Sequence, residues 1–142
     1  MDSTPSEPYR PPAVGEIARR RLTVTDESLE LYARITGDRN PLHFDEEFAR
    51  ATRFGGRVAQ GGITAGILNA VVAMDLPGAG SVFMSQELRY LAPVRVGDEI
   101  IGEVEVLSAR DDKPIVRLAV RVTRGDGTRV LEGEASVYVM RP

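Results

Sequence analysis

The segment ITAGILNAVVAMD, residues 63–75, is apolar at nearly every position, with Asn69 as its one large polar residue before Asp75. A helix that has no polar face must be buried on all sides. In a chain of 142 residues, a sheet wrapped around this helix is the arrangement that buries it. Asn69 is then a buried amide, which is either a structural hydrogen-bonding residue or a group near a functional loop.

Strand-like segments occupy the rest of the C-terminal half. Apolar and polar residues alternate there, as Val104 and Val106 do with Glu103 and Glu105. The segments are residues 81–91, 99–109, 114–124 and 128–140, and residues 16–24 predict a short edge strand. Helices followed by antiparallel strands define an α+β class. One apolar helix inside a curved sheet of about five strands is the hot-dog fold.

Two shorter helices are predicted before the apolar one. Thr25 is a candidate N-cap of the first, and Gly37 lies where a left-handed C-cap would end it. Asp45 can cap the second, in which Phe48 and Ala51 are expected to point inward. The proline-rich residues 1–14 predict a flexible tail, and residues 15–142 a single domain.

Composition excludes several classes of function. The chain is 42% hydrophobic and 27% charged with a net charge of −3, so neither a nucleic-acid nor a membrane partner is expected. The absence of cysteine excludes disulfides and thiolate chemistry, and a single histidine argues against a metal site. We expect no cofactor. The N-terminus lacks the basic start and apolar core of a secretory signal, which predicts a cytoplasmic protein.

The segment GDRNPLH, residues 37–43, places Asp38 five residues before His43, the only histidine in the chain. A single histidine is usually a surface or packing residue. Here both side chains adjoin predicted helix ends in a loop constrained by Pro41, so they can meet at one water molecule. Adding water across an activated double bond requires a base for the water proton and an acid for the α-carbon. The pair therefore indicates hydratase or dehydratase chemistry.

Gln60, Gly61 and Gly62 open the apolar helix. Backbone N–H groups at a helix N-terminus can stabilise the negative charge that develops on a thioester carbonyl oxygen. Glycines permit a ligand to approach the backbone closely. The alternative is that Gly61 and Gly62 only form a tight turn.

The stretches GDRNPLHFD, residues 37–45, and FGGRVAQG, residues 54–61, resemble the signature of the MaoC-like (R)-specific enoyl-CoA hydratase/dehydratase family. The similarity continues through residues 76–81, 93–98 and 112–115. It implies a hot-dog fold, usually a homodimer, and syn addition of water to a trans-2-enoyl thioester to give the (R)-3-hydroxyacyl product. It also implies that Asp38 and His43 are catalytic, that Asn40 supports the loop, and that the Gly61 N–H holds the thioester carbonyl.

One departure from that family lies at the start of the apolar helix. The family commonly has histidine and then glycine where this chain has Gln60 and Gly61, and often methionine at the position of Gly62. Gln60 can form hydrogen bonds but cannot titrate. The departure is expected to change the shape of the turn at residues 60–62, which carries the predicted N–H donor to the thioester oxygen. Gly62 in place of a bulky residue is expected to widen the acyl pocket.

Three other functions remain open from the sequence. The first is a 3-hydroxyacyl-carrier-protein dehydratase, in which Arg50, Arg53 and Arg57 would face an acidic carrier protein rather than being ordinary surface residues. The second is an acyl-CoA thioesterase, although the apolar helix has no acidic residue before Asp75. The third is a non-catalytic subunit that binds acyl thioesters. Tyr32 is interpreted as a core residue.

Overall fold

The computed structural model describes residues 8–142, so the first half of the predicted N-terminal tail lies outside the described residues. In the other half, Tyr9 packs against the hydrophobic core. The elements are β1 (Ile17–Thr23), α1 (Asp26–Thr36), α2 (Pro41–Phe44), α3 (Glu46–Arg50), α4 (Gly61–Met74), β2 (Ser81–Tyr90), β3 (Glu99–Ala109), β4 (Ile115–Arg124) and β5 (Arg129–Val139). Among these helices none is long and apolar enough to cross a bilayer.

All five strands form one antiparallel sheet in the order β1-β3-β4-β5-β2, so β1 and β2 are its edges. The register places Val104 opposite Val120 and Leu118 opposite Ala135, which puts the predicted apolar positions of β3, β4 and β5 on one face. That face packs against α4. The α+β hot-dog arrangement and the short edge strand predicted from the sequence are confirmed.

The core lies between α4 and the sheet. Leu68, Val71 and Val72 of α4 are buried with 0–2% of their surface exposed. Gly102 in β3 permits the close approach, because a Cβ at that position would lie only 2.8 Å from Cγ2 of Ile67. Burial of these apolar side chains supplies most of the stability of such a domain.

The prediction that α4 is buried on all sides is wrong for the chain taken alone. Asn69, Ala73 and Met74 are exposed, Met74 to 67%. The physical reason is that one sheet covers only one side of a helix, and no other described element covers the outward face. Asn69 therefore is not a buried amide in this chain.

The short N-terminal helices follow the predicted caps. Thr25 caps α1 in a reciprocal arrangement with Ser28, and Gly37 ends α1 with a left-handed φ of 82°. Asp45 caps α3 through the Phe48 N–H. The expected inward face of α3 was wrong. Phe48 is 48% exposed and Ala51 is exposed, whereas Ala49 is completely buried.

Candidate active site

The connection between α1 and α3 holds Asp38, the first predicted catalytic residue, through local hydrogen bonds. The Asp38 N–H donates to Oγ1 of Thr36 at 3.1 Å, and Oδ1 of Asp38 accepts from the Asn40 N–H at 3.2 Å. Asn40 in turn caps α2, because its Oδ1 accepts from the Leu42 N–H at 3.0 Å. Pro41 occupies the first position of that one-turn helix, where its missing N–H costs nothing. The sequence therefore fixes the Asp38 carboxylate to the start of α2.

His43 lies on α2, and a distant backbone group orients its ring. Nδ1 donates to the carbonyl oxygen of Val58 at 2.7 Å. A carbonyl oxygen can only accept, so Nδ1 carries the proton and the lone pair of the neutral ring is on Nε2. Nε2 lies 3.5 Å from Oδ2 of Asp38. The His43 side chain is 11% exposed and that of Asp38 is 39% exposed.

Two hydrogen-bond acceptors thus face each other when the imidazole is neutral. The lone pair on Nε2 and the carboxylate Oδ2 cannot bond to one another, but one water molecule can donate a hydrogen to each. The structure thus places the two predicted catalytic side chains within 3.5 Å of each other. The exposed side of Asp38 gives access to this point.

The N-terminus of α4 borders an apolar pocket of about 250 Å³. Its lining includes Val58, whose carbonyl holds His43, together with Gly61 and Thr64. The first N–H groups of a helix have no partner inside that helix, and the Gln60 side chain does not cap them. Instead, Gln60 is completely buried, and its Nε2 donates to the Leu29 carbonyl at 3.0 Å.

Comparison with known proteins identifies this architecture. Residues 12–126 match the model of the MaoC-like domain. The chain belongs to the MaoC-like domain family. A 3-hydroxybutyryl-CoA dehydratase of Methylorubrum extorquens is 44% identical to this MaoC-like chain over 87% of it and 77% of the relative.

Two further similarities concern an (R)-specific enoyl-CoA hydratase of Aeromonas caviae. Its sequence is 37% identical over 87% of this chain and 92% of its own length. A solved (R)-hydratase from A. caviae superimposes with a TM-score of 0.85 and 36% identity, covering 90% of this chain and 97% of that one. The hot-dog fold of this MaoC-like chain is thus shared with solved enzymes of the family.

Two tyrosines from other elements flank the start of α4 in this MaoC-like domain. A Cβ on Gly62 would lie 1.7 Å from the hydroxyl of Tyr32, and one on Gly61 would lie 3.0 Å from the ring of Tyr90. Burial, and secondly the neighbouring Tyr32, raise the pKa of Tyr90, so its phenol stays neutral. The expectation that Gly62 widens the acyl pocket was wrong at this point, because the Tyr32 ring fills the space that a larger side chain would occupy.

The remaining predicted residues are not all close to this centre. Asn69 lies on the exposed face of α4, two turns beyond Gly62, and has no described hydrogen bond to the Asp38 loop. Arg57 is not free to meet a carrier protein: it bonds the His43 carbonyl at 3.2 Å and pairs with Asp26 at 3.0 Å. In residues 8–142, no three histidine, aspartate or glutamate side chains converge as metal ligands.

Sequence reasoning missed two groups that shape the site. The Val58 carbonyl carries no signal in the sequence, because every residue has a carbonyl oxygen. Arg95 was also missed, although it donates to the carbonyls of Phe54 and Arg57 and so anchors the turn that leads to Val58. The one available hint was an arginine within residues 93–98, a segment that shares the family resemblance.

Proposed function

We propose that this MaoC-like protein is a hydro-lyase that adds water to trans-2-enoyl thioesters to give (R)-3-hydroxyacyl thioesters, or catalyses the reverse dehydration. The observation that supports the reaction most directly is the separation of 3.5 Å between Oδ2 of Asp38 and Nε2 of His43. The names of the relatives support the substrate class and the (R) configuration.

The two side chains suit both proton transfers of the reaction. Water held between them attacks the β-carbon, C3, while one of the two groups takes the water proton. With a neutral imidazole and an ionised carboxylate, neither group starts with a proton to give, so the pair delivers the proton taken from the water to the α-carbon, C2; the elements of water are added and the charges balance. Asp38 and His43 act from one side of the substrate, and this favours syn addition.

The start of α4 suits the third requirement, which is stabilisation of the enolate. As C3 is attacked, negative charge moves to the thioester carbonyl oxygen. We assign the Gly61 N–H, with Gly62 beside it, as the donor to that oxygen, because these amides lack intrahelical partners and Gly61 lines the apolar pocket. Gln60 has a supporting role: its bond to Leu29 joins the start of α4 to α1.

The test is a direct activity measurement with crotonyl-CoA and longer or branched enoyl-CoA thioesters. Loss of the absorbance of the conjugated thioester, with formation of the (R)-3-hydroxyacyl product on chiral analysis, is expected. His43→Ala should abolish this activity. Absence of hydration across the panel would contradict the proposal. Release of free thiol from saturated acyl-CoA would instead favour a thioesterase, and tight binding without turnover a non-catalytic acyl-thioester-binding subunit.

We further propose that the protein is a homodimer. The edge strand β2 is ten residues long and largely exposed, with Val82 and Met84 exposed to 51% and 58%. An exposed edge of this length and character is normally paired or covered. The outward face of α4, which includes Asn69, is exposed in the single chain as well. Analytical ultracentrifugation should give twice the chain mass of 15.5 kDa, and a monomer at micromolar concentration would contradict this.

A further inference from the structure

We propose that Arg53 binds the phosphate of a 4′-phosphopantetheine arm, the part of the thioester substrate that coenzyme A and acyl carrier protein have in common. This inference rests on the proposed function. It concerns a second concavity, of about 560 Å³, that is lined by Leu42, Thr52, Arg53 and Phe54 and is separate from the apolar pocket beside Gly61.

The two concavities adjoin one another at Phe54, which lines both and is 41% exposed. The apolar pocket includes the proposed oxyanion donor Gly61 in its lining, and the second concavity includes Arg53. A ligand with its thioester carbonyl at Gly61 can therefore extend along the apolar wall, cross Phe54 and end beside Arg53. An acyl pantetheine thioester has this order of groups: the thioester, a flexible amide-containing arm, and a phosphate.

The ion pairs of this region single out Arg53. Arg50 pairs with Glu46, and Arg57 pairs with Glu46 and Asp26. The Arg53 side chain is exposed and forms no ion pair or hydrogen bond with any residue of the described range 8–142. No carboxylate of the protein offsets the positive charge of such a guanidinium, so the charge is available to an anionic ligand. The planar arrangement of its N–H groups matches the oxygens of a phosphate.

The backbone that carries Arg53 is held in place. Oγ1 of Thr52 donates to the Ala49 carbonyl at 2.6 Å and accepts from the Phe54 N–H at 3.3 Å. Arg95 bonds the Phe54 carbonyl from the loop before β3. The start of the Arg53 side chain is thus fixed relative to the apolar pocket, so that little ordering of the protein opposes binding.

The experiment compares three crotonyl thioesters: those of coenzyme A, 4′-phosphopantetheine and unphosphorylated pantetheine. For the wild-type protein at low salt, the two phosphorylated substrates should have kcat/KM values about three- to tenfold above that of the pantetheine thioester, because an exposed charge-assisted contact contributes modestly. Arg53→Gln should remove this preference by raising KM, with kcat unchanged and the pantetheine thioester unaffected.

Arg50→Gln is the matched control, because it makes the same change on a neighbouring arginine that already has a partner. Arg50→Gln should keep the wild-type preference for phosphorylated thioesters. Added salt should weaken this preference in the wild type and in Arg50→Gln alike. Equal losses for Arg53→Gln with crotonyl-CoA and a crotonyl-carrier protein would support the shared phosphate. An effect confined to crotonyl-CoA would overturn this assignment, because the contact would then be to the nucleotide.

The two proposals fail in different ways. If the wild-type protein is inactive with all three thioesters, the proposed function is contradicted. If it hydrates all three and Arg53→Gln leaves their relative kcat/KM values unchanged, only the phosphate site is contradicted. The thermal unfolding temperature of Arg53→Gln should equal that of the wild type, since this side chain makes no contact that the fold needs.

Discussion

Replacing Asp38 by asparagine separates catalysis from stability at the candidate site. The amide oxygen of asparagine can keep the bond from the Asn40 N–H, which is 3.2 Å long in the structure, so the turn into α2 is retained. The NH2 group then faces Nε2 of His43 at the position of Oδ2, 3.5 Å away. This NH2 group donates toward the lone pair of Nε2. The water therefore loses Oδ2 as an acceptor and competes with the amide for Nε2.

The expected loss of stability in Asp38→Asn is much smaller than the expected loss of catalytic rate. The Asp38 side chain is 39% exposed, and an exposed pair of this kind contributes at most about 1 kcal/mol to stability. A positioned acid or base contributes about 100- to 10,000-fold to the rate, equivalent to about 2.7–5.4 kcal/mol of barrier. Asp38→Asn should therefore fold almost as stably as the wild type and lose two to four orders of magnitude in kcat.

Steady-state hydration of crotonyl-CoA and urea unfolding measure these two quantities on the same preparation. Asp45→Asn is the control: Asp45 caps α3 by accepting from the Phe48 N–H at 3.0 Å, and asparagine caps a helix equally well. Both its kcat and its stability should stay close to the wild type. The assignment of Asp38 fails if Asp38→Asn retains a kcat within threefold of the wild type, a change of about 0.7 kcal/mol in barrier.

Three further predictions concern the elements around the site. Asn40→Ala should cost about 0.5–2 kcal/mol in urea unfolding and lower kcat more than it changes KM, because the cap that holds the loop is lost; an unchanged kcat would contradict a supporting role. Gly102→Ala should cost about 1–3 kcal/mol because its Cβ would press on Ile67. Thermal unfolding of the double variant with Ile67→Ala should show a smaller loss than the sum of the two single variants, and strict additivity would refute the clash. Arg39 lowers the pKa of Glu30 to about 2, so Glu30→Gln should destabilise the protein at neutral pH. A carboxyl group with a lowered pKa stabilises the folded state above its unfolded pKa of 4.5, and this stabilisation is lost as the pH falls toward about 2. The difference in unfolding temperature between the wild type and Glu30→Gln should therefore shrink over that range. A difference that does not depend on pH would contradict this prediction.

Local patterns predicted every helix and strand of the described fold except α2. The caps at Thr25, Gly37 and Asp45 were predicted correctly because capping depends on residues within one turn of each other. The strands followed from alternation with a period of two, which is also local. The one-turn helix α2 inside the predicted loop was not foreseen, because a helix of four residues leaves no periodic signal.

Burial of the helices depended on more than their own composition. The expectation for α4 assumed that an apolar surface is always covered within its own chain, and the exposed Met74 and Asn69 show that one sheet leaves a face open. In α3 the buried residue is Ala49 rather than Phe48, because the angle at which a helix of five residues meets the core is set by its neighbours.

The candidate site likewise combines features set by neighbouring residues with features set by tertiary packing. Spacing along the chain brought Asp38, Asn40 and His43 into one segment, and the hydrogen bonds of Asp38 and Asn40 join residues at most three positions apart. The tautomer of His43 was decided by Val58, fifteen positions away, and the space above Gly62 by Tyr32 in another helix. Short-range hydrogen bonds and periodicity are encoded in neighbouring residues, whereas which distant carbonyl or ring meets a side chain depends on how the helices and the sheet pack together.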